Sequence, residues 1–91
     1  MEFSDLFDER KTIYTITDEH GDKSSITIDK WAADILQDLL PNVHHWVQEK
    51  YDLVCQKKPE LTRRVKGDVV RALARREAEK SPQYPQFMDL L

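Results

Sequence analysis

The first regular pattern along the chain is alternation. Lys11 to Asp18 reads Lys-Thr-Ile-Tyr-Thr-Ile-Thr-Asp and Lys23 to Asp29 reads Lys-Ser-Ser-Ile-Thr-Ile-Asp, both rich in β-branched residues. Two strands are predicted, with Ile13 and Thr15 on one face of the first and Tyr14 and Ile16 on the other, and with Ile26 and Ile28 sharing a face of the second. Glu19-His20-Gly21-Asp22 lies between them and supplies a glycine able to take positive φ, which suits a hairpin turn. Two strands alone are marginal in water, so the apolar face must rest on helices or pair with another chain.

The period then changes to that of helices. Trp31, Ile35 and Leu39 recur at i, i+4 and i+8 beside Ala32 and Leu36, which predicts a helix from Lys30 to about Leu40 with Asp29 as its cap. Pro41 kinks or ends that helix. Helical spacing resumes from Asn42 to about Lys57 through Val43, Trp46, Val47 and Val54, with Tyr51 flanking. After Pro59 a third helix, from Glu60 or Thr62 to about Lys80, is expected to bury Leu61, Val65, Val69 and Leu73. Gly67 inside it costs about 1 kcal/mol relative to alanine, so either something packs close there or the helix tolerates the loss. The expected fold is α+β in one domain over residues 1–91: an acidic segment 1–10, a hairpin 11–28, a helical region 30–80 and a proline-containing apolar tail 81–91. The antiparallel hairpin packs on two or three helices, and helix outweighs strand.

Composition narrows the function classes. The chain has 91 residues, 40% hydrophobic and 34% charged, and no segment approaches the ~20 apolar residues of a membrane span. So short a chain leaves a large share of its surface exposed on folding, which favours a function carried by surfaces over one in a deep pocket and leaves room for a second copy to complete the core. The acidic start lacks the basic and apolar regions of a secretory signal, and Cys55 is the single cysteine, so a reducing, cytoplasmic setting is expected.

Candidate chemistry was tested by geometry. His45 and Cys55 stand ten residues apart, about 15 Å along one helix, too far to share a metal ion. His45 and Glu49 at i and i+4 read as an exposed helix contact, and Cys55 as a packing residue. Gly21 and Gly67 are the only glycines, which excludes a glycine-rich phosphate loop, and no Gly-x-Ser-x-Gly or His-Glu-x-x-His motif is present. No catalytic residue, metal or cofactor is assigned, and an enzyme is not expected.

Charge sharpens the picture. The net charge of −3 divides into −5 over residues 1–29, zero over 30–59 and +2 over 60–91. At about 100° per residue, Arg71, Arg64 and Arg75 fall within roughly 40° of one another on the third helix, with Arg63 on the flank. Arg71 and Arg75 repel at i and i+4 unless an anion compensates. That anion is either internal, with Asp68 reaching Arg64 and Arg71 and Glu79 reaching Arg75, or external, such as DNA phosphate. The leading reading is a small non-enzymatic regulatory or accessory binding module, with DNA contact by Arg63, Arg64, Arg71 and Arg75 as its sharpest form. Docking on a protein partner through the acidic front and Phe87, Met88, Leu90 and Leu91 is the alternative, although those four side chains also suit a strap over a thin core. A homodimer through the ribbon or a helix face fits either.

A strand over Ser24-Ser25-Ile26-Thr27-Ile28 that leads into helices, the last of them arginine-rich, resembles the ribbon-helix-helix DNA-binding proteins. The resemblance implies a strand presenting Lys23, Ser25 and Thr27 on one face to DNA. Here, however, a hairpin precedes and three helical segments follow, so it stands as an analogy of fold.

Overall fold

The computed structural model describes residues 10–81. An antiparallel hairpin of β1 (Lys11–Thr17) and β2 (Lys23–Asp29) is followed by α1 (Lys30–Leu39), α2 (Val43–Lys57) and α3 (Arg63–Glu79). The α+β expectation holds, with helix outweighing strand.

The turn is built by Asp18 and Gly21. The Asp18 carboxylate accepts from the backbone N–H groups of His20 and Asp22, both at 2.9 Å, while Gly21 takes φ of 83°. The register pairs Tyr14 with Ile26 and Ile16 with Ser24. Ile16, Ile26 and Ile28 are thereby buried, whereas Ile13 on the other face is exposed.

A two-stranded sheet has two bare edges, and here side chains from the helices occupy both. On the β1 edge, Gln48 of α2 brackets Thr17, accepting from its N–H at 2.8 Å and donating to its carbonyl at 2.9 Å, and the His44 Nε2 donates to the Thr15 carbonyl. On the β2 edge, Arg63 of α3 donates to the Ser25 carbonyl. Thr15 and Ser25 oppose each other across the ribbon, so their outward carbonyls are met by one helix on each side. The strand of the ribbon-helix-helix analogy thus pairs within its own chain.

Two helical expectations change in detail, and a third, open between a kink and an end at Pro41, is decided. Asp29 precedes α1 but makes no side-chain cap; its carboxylate points elsewhere, as described below. The buried face of α1 is Ala32, Ala33, Ile35 and Leu36, and Leu39 is left exposed. Pro41 ends the helix: Leu40 is already extended, and Asn42 starts α2 by accepting from the His45 N–H at 2.9 Å. Of the face expected for α2, Val43, Val47 and Val54 are buried and Trp46 is half-buried, while Tyr51, expected on the flank, is fully buried.

The largest correction concerns α3. Thr62 caps it by accepting from the Val65 N–H at 3.2 Å, but the buried residues are Lys66, Val70, Ala74 and Ala78. Val69 and Leu73 are half-buried, and Val65, expected in the core, is 40% exposed. At about 100° per residue the helix is rotated by roughly 140° from the expected stripe. Small side chains on the inward face explain this, because Ala74 and Ala78 on α3 and Ala32 and Ala33 on α1 are all fully buried, which allows two helix axes to approach closely. Gly67 belongs to the same face. A Cβ there would lie 2.8 Å from Arg63 Nη1 and 3.5 Å from Ile26 Cδ1, so the glycine makes room for a guanidinium and for β2.

Candidate functional site

The rotation of α3 sets its arginine stripe alongside β2. Arg63 contacts Ser24 and Ser25 at the start of the strand, and Arg71 and Arg75 reach Asp29 at its end, so helix and strand run in the same direction. Their lengths match: Arg63 to Arg75 spans about 18 Å of helix and Ser24 to Asp29 about 17 Å of strand.

Asp29 is the anchor of one polar cluster. Its side chain is 3% exposed. Oδ1 accepts from Arg71 Nε at 3.0 Å and Nη2 at 2.6 Å and lies 3.2 Å from Lys11 Nζ, while Oδ2 accepts from Arg75 Nε. Burial pushes the carboxyl pKa up, but Arg75, Arg71 and Lys11 outweigh it and hold the group at about 2. The Arg75 guanidinium is in turn stabilised in its charged form by Asp29. Three cations surround one carboxylate, so the cluster keeps a net charge of +2. All three cations remain partly open to solvent.

The other two arginines differ from each other. Arg63 donates from Nε to Ser24 Oγ at 2.7 Å, and its guanidinium carbon lies 5.2 Å from the centre of the Tyr51 ring. Arg64 is exposed and has no ion pair among the described residues. Asp68 has none among them either, so the internal pairs expected for Asp68 with Arg64 and Arg71 do not form; Arg71 has turned to Asp29. Glu79 acts on Arg75 only through its field.

Between β2 and α3 runs a groove of about 320 Å³. Ser24, Ser25 and Thr27 form one wall and Arg64, Gly67 and Asp68 the other, with the Arg63 and Arg71 side chains also in its lining. Hydroxyls beside guanidiniums are donors suited to an anion, and Asp68 is the one carboxylate in that lining. Of the four arginines singled out from the sequence, Arg63, Arg64 and Arg71 line this groove and Arg75 joins Arg71 on Asp29.

A second cluster had no sequence signal. Glu19, in the hairpin turn, accepts from Tyr51 OH at 2.8 Å through Oε1, and from Lys66 Nζ at 2.5 Å and Cys55 Sγ at 3.1 Å through Oε2. Lys66 first, then Cys55 and Tyr51, hold the Glu19 carboxyl far below the carboxylate range, and the Lys66 amine is raised by its bond to Glu19. Burial and the Glu19 bond push both the Tyr51 hydroxyl and the Cys55 thiol up. A thiol raised in this way stays protonated, opposite to the depression that activates a cysteine nucleophile. Sequence alone could not join a turn residue to partners 32, 36 and 47 positions away.

His45 Nε2 and Glu49 form an exposed pair at 2.6 Å, as their spacing suggested. Among the described residues no three His, Cys, Asp or Glu side chains gather as metal ligands would, and no helix is long and apolar enough to cross a membrane. Phe87, Met88, Leu90 and Leu91 lie outside the described residues, as does most of the acidic segment. No family model matches this chain, and neither a curated protein nor a solved structure matches it.

Proposed function

We propose that this chain is a small non-enzymatic binding module that holds the phosphate backbone of DNA along the β2 and α3 face. The observation that carries this reading is the charge imbalance at Asp29. A structural ion pair needs one cation, yet Lys11, Arg71 and Arg75 all converge on a single carboxylate. Arg64 adds a cation with no ion pair among the described residues one turn before Gly67, and Ser25 and Thr27 add hydroxyl donors. Phosphate oxygens accept from such donors, and positioned guanidiniums bind them without further reorganisation. The single cysteine, which has no internal partner for a disulfide, is compatible with action in the cytoplasm.

Binding of a labelled duplex measured across salt concentrations tests the reading. Affinity falls as salt rises, with a log–log slope of about −0.9 per phosphate neutralised. No binding at low salt refutes it.

The outward Val65 and the exposed Leu53 favour a second reading, a protein contact or self-association through the outer side of α2 and α3. A monomeric mass by sedimentation at high concentration removes the self-association form of it.

A further inference from the structure

Resting on the DNA reading, we infer that the arginine face grips duplex DNA through its phosphates alone, without reading base sequence. What limits base readout is where the guanidiniums are tied. A side chain that reads guanine must extend into the major groove and offer two donors to O6 and N7. Arg71 has committed Nε and Nη2 to Asp29, Arg75 has committed Nε to the same carboxylate, and Arg63 has committed Nε and Nη2 to Ser24 and Ser25. These tethers hold three of the four guanidiniums against the protein surface. Their remaining N–H groups serve a phosphate that arrives at that surface, but not a base edge recessed in a groove.

The neighbouring side chains agree. Among the described residues no Asn or Gln, the usual partners of adenine, lines the groove between β2 and α3. No aromatic ring among them lines it either: the Tyr51 ring is fully buried beside Arg63, and Tyr14 faces the core. Single-stranded nucleic acid is held largely by stacking on exposed rings, so the described part of this surface offers it no stacking platform. A duplex offers the denser phosphate array, about one charge per 1.7 Å. Asp68, in the groove wall and without an ion pair among the described residues, opposes a phosphate beside Arg64 and shifts the best contact towards the Lys11, Arg71 and Arg75 end.

Fluorescence anisotropy on the full chain tests this, with GC-rich, AT-rich and mixed duplexes and the matching single strands, each over a series of salt concentrations. The duplexes bind within about twofold of one another and the single strands bind more weakly. Arg64→Ala, which breaks no ion pair among the described residues, weakens all duplexes equally and lowers the salt slope by about one. Asp68→Asn tightens all of them equally. A motif enriched from a randomised duplex pool, a tenfold preference for one duplex, or tighter binding to single strands overturns the inference while leaving phosphate binding in place. Absence of salt-dependent binding to any of these probes overturns the DNA reading and this inference together.

Discussion

Arg71 reaches Asp29 across 42 positions of sequence and donates to one carboxylate oxygen from both Nε and Nη2. This contact, together with Arg75 and Lys11, fixes the end of β2 to α3 and determines which atoms of the arginine stripe remain free. The same residues therefore carry the stability of the β2 and α3 seam and the charge proposed to meet DNA.

Removing the carboxylate tests the first role. Asp29→Ala leaves three cations facing one another, two of them beside a buried position, and is expected to cost about 3 kcal/mol. Urea unfolding measures it as a lower midpoint with an unchanged slope. A loss below about 0.5 kcal/mol would mean that the cluster behaves as an ordinary surface ion pair.

Acid titration reads the same group. The folded-state pKa of Asp29 is depressed from 3.8 to about 2, so its contribution is fully present above the unfolded value and is lost as pH falls through the folded one. Glu19 is depressed too and acts in the same direction. Stability is therefore steady from neutral pH down to about 5 and falls steeply between about pH 4 and 2. In Asp29→Asn that fall is shallower, which thermal unfolding at a series of pH values resolves.

Glu19→Gln probes the turn cluster. It leaves the Lys66 ammonium, whose side chain is 5% exposed, without its anion and weakens the acceptor for Tyr51 and Cys55. Tm drops by more than it does for His45→Ala, which breaks only an exposed pair. In the same variant Cys55 reacts faster with iodoacetamide, because the thiol loses the bond and the negative neighbour that raise its pKa. An unchanged alkylation rate would place the control of that thiol in burial alone.

Gly67→Ala sets helix propensity against the Arg63 contact. Alanine in a helix interior is worth about 1 kcal/mol over glycine, but its Cβ meets Arg63 Nη1 at 2.8 Å. In the wild-type background the gain is cancelled as Arg63 is pushed from Ser24, Ser25 and Tyr51. In an Arg63→Ala background the full ~1 kcal/mol appears, and a double-mutant cycle gives the difference as a coupling energy. Additivity of the two changes would refute the steric account.

Tyr14 supplies a control with the opposite sign. Its hydroxyl is buried without a hydrogen-bond partner among the described residues, so Tyr14→Phe removes a desolvated group and none of the described bonds. Tm stays level or rises. The ring keeps its stacked position beside His44, with centroids 6.5 Å apart.

Much of this architecture was written locally. Alternation over Lys11–Thr17 and Lys23–Asp29, Gly21 between them, Pro41, and the caps Asn42 and Thr62 each act within a few residues, so the hairpin and three helices follow from short-range sterics and hydrogen bonding. Most of the buried face of α2 was legible too, because Val43, Val47 and Val54 are bulky and recur at helical spacing, although Tyr51 lies within that face and Trp46 at its margin. The inward face of α3 was not. Apolar size favoured Leu61, Val65, Val69 and Leu73, but close approach to α1 and β2 rewards glycine and alanine, and a buried carboxylate rewards the arginines beside them. The partners that decide this, Asp29 for Arg71 and Arg75 and Glu19 for Lys66, lie 42 to 47 residues away in sequence. The arginine stripe could be read from the chain by itself, but which arginines are tethered depends on the rotation of one helix. That rotation was decided only in the tertiary structure, where burying Asp29 required neighbouring cations and packing α3 against α1 required small side chains.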